Sequence, residues 1–286
     1  MVTALIFPGQ GSQAPGMREL AERQAPELVE LVDAEVGADP FERVDEGTEF
    51  AQPAILCAGL AAWRGAGAPG AALFAGHSLG ELGALAAAGA IEAEDAVRLA
   101  VVRGRLMEEA GGQSGGGMLA LLGDGEAARE AASAAGTILA NDNGPTQIVV
   151  AGPRAALEAT RAEAKARGVR VMGLAVSAAF HTPEMEPAVR PFRAALERVE
   201  LKPASAPVLS SATARPFALE PDTVRDALAA AITQPVRWRE TMAELHCRGV
   251  RRFVEAGPGK ALTGLARRSF DDVEATTLAA GEPARV

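Results

Sequence analysis

The chain has 286 residues, enough for one large domain or two unequal ones, and its 48% hydrophobic content marks it as globular. A net charge of −9, from 28 basic against 37 acidic residues, speaks against a general binder of nucleic acid or of membrane surfaces. Two cysteines, Cys57 and Cys247, make no disulfide framework and lack metal-type spacing; no run reaches membrane-span length and MVTALIFPGQ carries no cationic leader, so a cytoplasmic protein is expected.

Val2–Phe7 is a short apolar run halted by Pro8-Gly9, which predicts a buried strand. A second apolar run, Ala71–Ala75, leads straight into AGHSLGELG, and the alanine-rich stretch Leu79–Ala88 beyond it predicts a helix stopped by Gly89. A longer helix is predicted from about Glu94 to Ala110, ended by Gly111-Gly112, and Gln113–Gly117 reads as a linker. The next segment predicts strand Met118–Leu122, helix Glu126–Ala135, strands Thr137–Ala140 and Gln147–Ala151, helix Ala155–Arg167 and strand Arg170–Ser177. That β-α-β-β-α-β order is the ferredoxin-like pattern. The expected architecture is therefore α/β, with a large domain of residues 1–114 and 180–286 and a small α+β domain of residues 115–179 inserted in it. Pro183, Pro187 and Pro191 are expected to break up the return before a helix runs to Val199. Helices ending near Ala231 and spanning Trp238–Arg248 follow, then a strand over Val250–Glu255 that runs into Gly257-Pro258-Gly259.

Ser78 stands in G-x-S-x-G between an apolar strand and a strong helix. That context turns a common pattern into a candidate nucleophile, with the Leu79 amide at the helix start facing a developing oxyanion. A serine needs a base, and the chain has three histidines. His77 adjoins Ser78 and points to the opposite face of an extended chain. His246 lies late on a helix beside Cys247. His181 follows the small domain at the return to the large one, facing the cleft between them, and is the base by elimination and location.

Arg103 falls on the apolar stripe of its helix with Ala96, Leu99, Ala100 and Met107. A buried cation must find an anion, so Arg103 makes either a structural salt bridge or a fork for a bound carboxylate.

The segments FPGQGSQ (7–13), GHSLGE (76–81), VRGRLM (102–107), AFH (179–181), QPVRW (234–238) and EAGPGKALTGL (255–265) occur in that order. Together they resemble the malonyl-coenzyme A:acyl carrier protein transacylases of fatty-acid and polyketide synthesis, a family with a hydrolase-like α/β domain, its sheet parallel, and a ferredoxin-like insert. The resemblance implies Ser78 as nucleophile, His181 as general base, and the amides of Gln10 and Leu79 as the oxyanion hole. It implies a backbone carbonyl that orients the histidine, at the position of Ala231, where the family commonly has glutamine. Arg103 matches the carboxylate-binding arginine, and Asn143, with Asn141, matches a loop lining the cleft. Phe180 resembles the variant associated with malonyl over methylmalonyl, a choice of about 1–3 kcal/mol for one methyl.

The implied reaction is ping-pong transfer of malonyl from malonyl-coenzyme A to an acyl carrier protein, by a monomer with no metal and no cofactor, the coenzyme A thioester being a substrate. The alternative is a serine hydrolase or thioesterase acting on carrier thioesters. Two basic sets are candidates for docking an acidic carrier: Arg161, Lys165, Arg167 and Arg170 on the small domain, which is favoured, and Arg251, Arg252, Arg267 and Arg268 around the GPGK loop.

Overall fold

The apolar run near the N-terminus forms β1 (Val2–Phe7), the middle strand of a five-stranded sheet. The structure is a computed structural model and describes residues 1–176 and 178–278. Between Pro8 and Ala71, where no element is predicted, the chain forms α1 (Met17–Gln24), α2 (Pro26–Val36) and α3 (Thr48–Gly65). Then come β2 (Leu73–Gly76), α4 (Gly80–Ala87) and α5 (Ala93–Ser114). After the small sheet the chain continues through a 3-10 turn at Pro183–Met185, α8 (Glu186–Leu196), β7 (Val208–Leu209), α9 (Pro221–Ala230), α10 (Trp238–Cys247), β8 (Val250–Glu255), α11 (Ala261–Ser269) and β9 (Glu274–Thr277).

The large sheet runs β7-β2-β1-β8-β9, every pair parallel. Helices cover both of its faces, which is why its central strands are apolar runs without polar alternation. Successive side chains still divide by face. Leu5 and Phe7 pack with α3, α4, α5 and α8, whereas Ala4 and Ile6 pack with Trp238, Met242 and Leu265 of α10 and α11.

The inserted segment forms β3 (Gly117–Leu122), α6 (Gly125–Ala135), β4 (Ile138–Gly144), β5 (Gln147–Gly152), α7 (Arg154–Ala166) and β6 (Arg170–Gly173). Its sheet has the order β4-β5-β3-β6, all antiparallel, which is the ferredoxin-like topology. Leu119, Leu121, Ile148 and Val150 pack against α6 and α7 on one face. Met118, Ala120, Val149 and Ala151, on the other face, belong to the main core. The period of two thus seats the small sheet on the large domain.

Several boundaries differ from expectation for identifiable reasons. Helix α5 runs through Gly111-Gly112 to Ser114 and is capped by Gly115 in the left-handed region (φ +64°), so the expected linker is partly its last turn. Gly111 marks a close approach instead: a Cβ there would lie 2.3 Å from that of Ala178. Pro187 and Pro191 do not break the return, for both lie within α8. Pro187 sits in the first turn, where no donor is needed. Pro191 is carried by the buried stripe Ala188, Phe192 and Leu196. Strand β4 continues through the polar run Asn141–Gly144 because it stays paired with β5 there, and its other edge is met by Val236, where Asp142 N–H donates to the Val236 carbonyl (2.8 Å) and Val236 N–H to that of Ala140 (2.8 Å). Strand β6 ends at Gly173, and Ser177, the expected end, lies outside the described residues.

Candidate active site

Strand β2 delivers Ser78 into a turn that only this glycine pattern permits. A Cβ on Gly76 would lie 1.9 Å from the Gly80 carbonyl carbon, and one on Gly80 would lie 2.1 Å from the Phe7 oxygen. Ser78 itself has φ +52°. A non-glycine residue held there carries strain of about 1–3 kcal/mol, which the surroundings must impose. They do so through Gly80 N–H to the His77 carbonyl (3.0 Å), Glu81 N–H to the Ser78 carbonyl (3.0 Å), and His77 N–H to the Phe7 carbonyl (2.9 Å).

His181, also at positive φ (+61°), brings Nε2 to 2.8 Å from Ser78 Oγ. Its Nδ1 lies 2.9 Å from the Gln234 carbonyl and 3.1 Å from that of Ala231. Carbonyls only accept, so Nδ1 carries the proton and Nε2 is left free to accept the Ser78 hydroxyl hydrogen. Burial, with the Arg103 charge and His77 adding to it, pushes the His181 pKa down to about 3. The imidazole is therefore neutral at physiological pH and available as a base. The Ala231 carbonyl stands where expected. That of Gln234 was not foreseen, since a main-chain acceptor leaves no side-chain signature.

His77 turns away from the serine: its Nε2 is 2.8 Å from Asn143 Oδ1, and its ring meets Trp238 edge-on at 5.5 Å. Asn143 is buried on β4 and borders the same cavity as Ser78. His246 is remote from this site and pairs with Asp272 at 2.9 Å.

Arg103 is 4% exposed. One guanidinium nitrogen donates to Gln52 Oε1 (2.8 Å) and another to Ser78 Oγ (3.0 Å). No carboxylate among the described residues lies within ion-pair distance of it; the buried Glu81 acts on it from farther off, without a hydrogen bond. Burial draws its pKa down to about 10, opposed by the charge of Glu81, and it stays cationic at neutral pH. Ser78 Oγ thus donates to the histidine and accepts from the arginine at once. Gln52, on α3, was missed; its one signal is a lone amide in the apolar run AQPAIL.

These groups open on a cavity of about 470 Å³ between the large domain and the small sheet. Phe180 is buried in its wall, and Gln10 and Leu79 border it on the Ser78 side. The amides of Gln10 and Leu79 donate to no other group among the described residues. They are free to face an oxyanion. No cluster of three or more His, Cys, Asp or Glu side chains suited to a metal occurs among the described residues.

Within the favoured basic set, Arg161 and Lys165 are misplaced for the cavity mouth, whereas Arg170 alternates onto the face of β6 that carries Met172 of the cavity wall. Helix α7, which carries Arg161 and Lys165, packs on the face of the small sheet opposite the cavity. Arg161 pairs with Glu158, and Arg167 with Glu130 and Glu163. In the second set Arg251 pairs with Asp272, Arg252 with Glu274, and Arg267 donates to the Ala275 carbonyl. Arg268 alone of both sets lies in the cavity wall among the described residues, and no carboxylate pairs with it there.

Comparison with known proteins gives a consistent result. The model of the acyl transferase domain family matches residues 4–282. The malonyl CoA-acyl carrier protein transacylase of Salmonella typhimurium is 37% identical over 302 residues, covering 98% of this chain and 96% of that protein. The crystal structure of an acyl carrier protein S-malonyltransferase from Vibrio cholerae has a TM-score of 0.86 at 33% identity, covering 97% of this chain and 96% of that one. A malonyl-transacylase solved in complex with its type II PKS acyl-carrier protein has a TM-score of 0.87 at 34% identity, covering 97% and 96%. With a serine–histidine pair in a nucleophile turn, a buried unpaired arginine beside it and end-to-end similarity to these enzymes, the chain belongs to the acyl transferase family, in its malonyl CoA-acyl carrier protein transacylase branch.

Proposed function

We propose that the protein transfers a malonyl group from malonyl-coenzyme A to the phosphopantetheine thiol of an acyl carrier protein, in fatty-acid or polyketide synthesis, through a malonyl ester on Ser78. The observation that carries this reading is the Arg103 fork, buried, with no carboxylate in ion-pair contact and 3.0 Å from the Ser78 oxygen. An acyl group bearing a free carboxylate supplies the missing anion; Gln52 holds the other side of the guanidinium.

In the first half-reaction Ser78 Oγ attacks the thioester carbonyl and passes its proton to His181 Nε2. The oxyanion forms toward the Gln10 and Leu79 amides, where fixed dipoles stabilise it without reorganising. Collapse breaks the C–S bond, and His181 returns the proton to the departing coenzyme A sulfur. In the second, His181 takes the proton of the carrier thiol, the thiolate attacks the ester carbonyl, and Ser78 leaves with that proton. The atoms balance with no redox step, so the thioester is a substrate and no cofactor is required. The carbonyls of Ala231 and Gln234 keep the histidine in the reactive tautomer without an added negative charge.

Phe180, in the cavity wall beside His181, is the residue that crowds a methyl branch on the malonyl carbon. Arg268 at the cavity is the cation best placed to receive an acidic carrier. In this reading the protein works in the cytoplasm as a monomer; that it binds no nucleic acid is supported by its net charge of −9. No described helix is long and apolar enough to cross a membrane.

Intact-protein mass spectrometry after mixing with malonyl-coenzyme A tests the proposal. A single malonyl adduct is expected on the native protein, discharged by holo carrier protein, and none on Ser78→Ala. Free malonate released faster than the carrier is loaded would assign the chain to hydrolysis instead.

A further inference from the structure

Beneath the nucleophile lies a buried carboxylate for which the transfer chemistry has no use. Glu81, the second residue of α4, is 2% exposed on a helix whose residues are all buried. Burial raises its pKa, and the Arg103 charge opposes that rise. An apolar residue would fill the space at less cost, because an ionised carboxylate out of water needs several donors to offset its desolvation.

Those donors lead to the catalytic pair. Glu81 Oε1 accepts the backbone N–H of Ser211 at 2.5 Å and its hydroxyl at 3.1 Å. With its proton committed to Glu81, the Ser211 hydroxyl oxygen accepts the N–H of Ser78 itself at 3.3 Å. The Ser211 carbonyl in turn accepts the N–H of Arg237 at 2.6 Å. Arg237 lies three residues beyond Gln234, whose carbonyl holds His181 Nδ1. One carboxylate, which Ser210 also helps to hold, is thus tied through Ser211 to the strained turn that presents the nucleophile and to the segment that aims the base. These two parts come from distant stretches of the chain, and nothing in local sequence keeps them aligned.

We propose that Glu81 is a positioning residue which, acting through Ser211, holds the Ser78 turn and the histidine-orienting segment in register. The proposal rests on the reading of Ser78 as nucleophile and His181 as its base. Misplacement by about 1 Å can slow an oriented reaction on the order of 100-fold, so a tie of this kind is read in the rate and not in substrate affinity.

Three variants dissect it. Ser211→Ala keeps the backbone bond to Glu81 and removes only the bridging hydroxyl. Glu81→Gln keeps an acceptor oxygen and removes the charge, and Glu81→Ala removes both. The probe is a fluorophosphonate, which reports serine and histidine alignment and needs neither a malonyl group nor the Arg103 fork. Labelling rates are measured beside kcat and KM for malonyl-coenzyme A, each normalised to folded protein by circular dichroism and thermal melting. Ser211→Ala is expected to label and acylate about tenfold more slowly with KM unchanged, the loss of roughly one well-placed hydrogen bond in the transition state. Glu81→Gln retains most of the rate and Glu81→Ala falls furthest. Wild-type labelling by Ser211→Ala, losses that follow the folded fraction alone, or a Glu81→Gln variant as slow as Glu81→Ala overturns the proposal. Absence of labelling in the wild type overturns the nucleophile reading together with it; with wild-type labelling intact, the three results above overturn the positioning role alone.

Discussion

Replacing Arg103 with alanine separates a carboxylate clamp from a structural cation. The side chain makes two bonds, to Gln52 and to Ser78 Oγ, and no carboxylate among the described residues is in ion-pair contact with it. A hydrogen bond to a charged group contributes about 1.5–3 kcal/mol. Gln52 occupies one guanidinium nitrogen, so one such bond to the malonyl carboxylate is the conservative expectation. That corresponds to a loss in kcat/KM for malonyl-coenzyme A of about 10- to 150-fold. Loss of the contact to Ser78 Oγ and of the charge that opposes the pKa rise of Glu81 slows every substrate alike. The decisive quantity is therefore the malonyl-to-acetyl ratio, measured by stopped acylation of the enzyme with each coenzyme A thioester. Acetyl has no carboxylate and should suffer only the common loss, so the ratio falls by at least about tenfold. If malonyl and acetyl fall by the same factor, the carboxylate argument fails and Arg103 is structural.

The acylation rate should stay level as pH falls through the ordinary histidine range, because His181 with its pKa near 3 remains unprotonated there. An inflexion near 6.5 in kcat/KM, over the range where circular dichroism shows an intact fold, would refute that assignment. His181→Ala should acylate about 10²–10⁴-fold more slowly, with malonyl-coenzyme A binding measured by calorimetry little changed. Phe180→Ala should shift the malonyl-to-methylmalonyl preference by about 1–3 kcal/mol toward the branched substrate, read from competition for Ser78 by mass spectrometry. An unchanged ratio would leave Phe180 as packing. Charge reversal at Arg268 should raise KM for the carrier protein and weaken its salt dependence, while the half-reaction with malonyl-coenzyme A changes little; unaltered carrier kinetics would move the docking surface elsewhere.

Much of the site was legible because its logic is local. The strand–turn–helix around Ser78 is written in Gly76, Gly80 and the apolar run before them, and the structure shows why: any Cβ at either glycine collides with backbone. Three histidines left few bases, and an arginine on an apolar stripe stood out as a cation in need of a partner. The ferredoxin-like order followed from alternation and turn residues, which act within a few positions of one another.

What the tertiary structure decided lies in contacts between distant segments. Gly111 looks like a helix stop in sequence and is instead the point where α5 passes Ala178. Asn141, Asp142 and Asn143 read as a loop, yet they form strand because β5 on one edge and the backbone around Val236 on the other supply partners that no polarity pattern foretells. Arg161 and Lys165 belong to a run that is dense in basic residues, but helix α7 carries them on the face of the small sheet away from the cavity, whereas Arg268, one arginine among several, borders it. Gln234 and Ser211 act through main-chain and hydroxyl groups that any residue, or any serine, could offer. A backbone carbonyl has the same chemistry at every position, so only the path of the chain through space selects the one that holds His181.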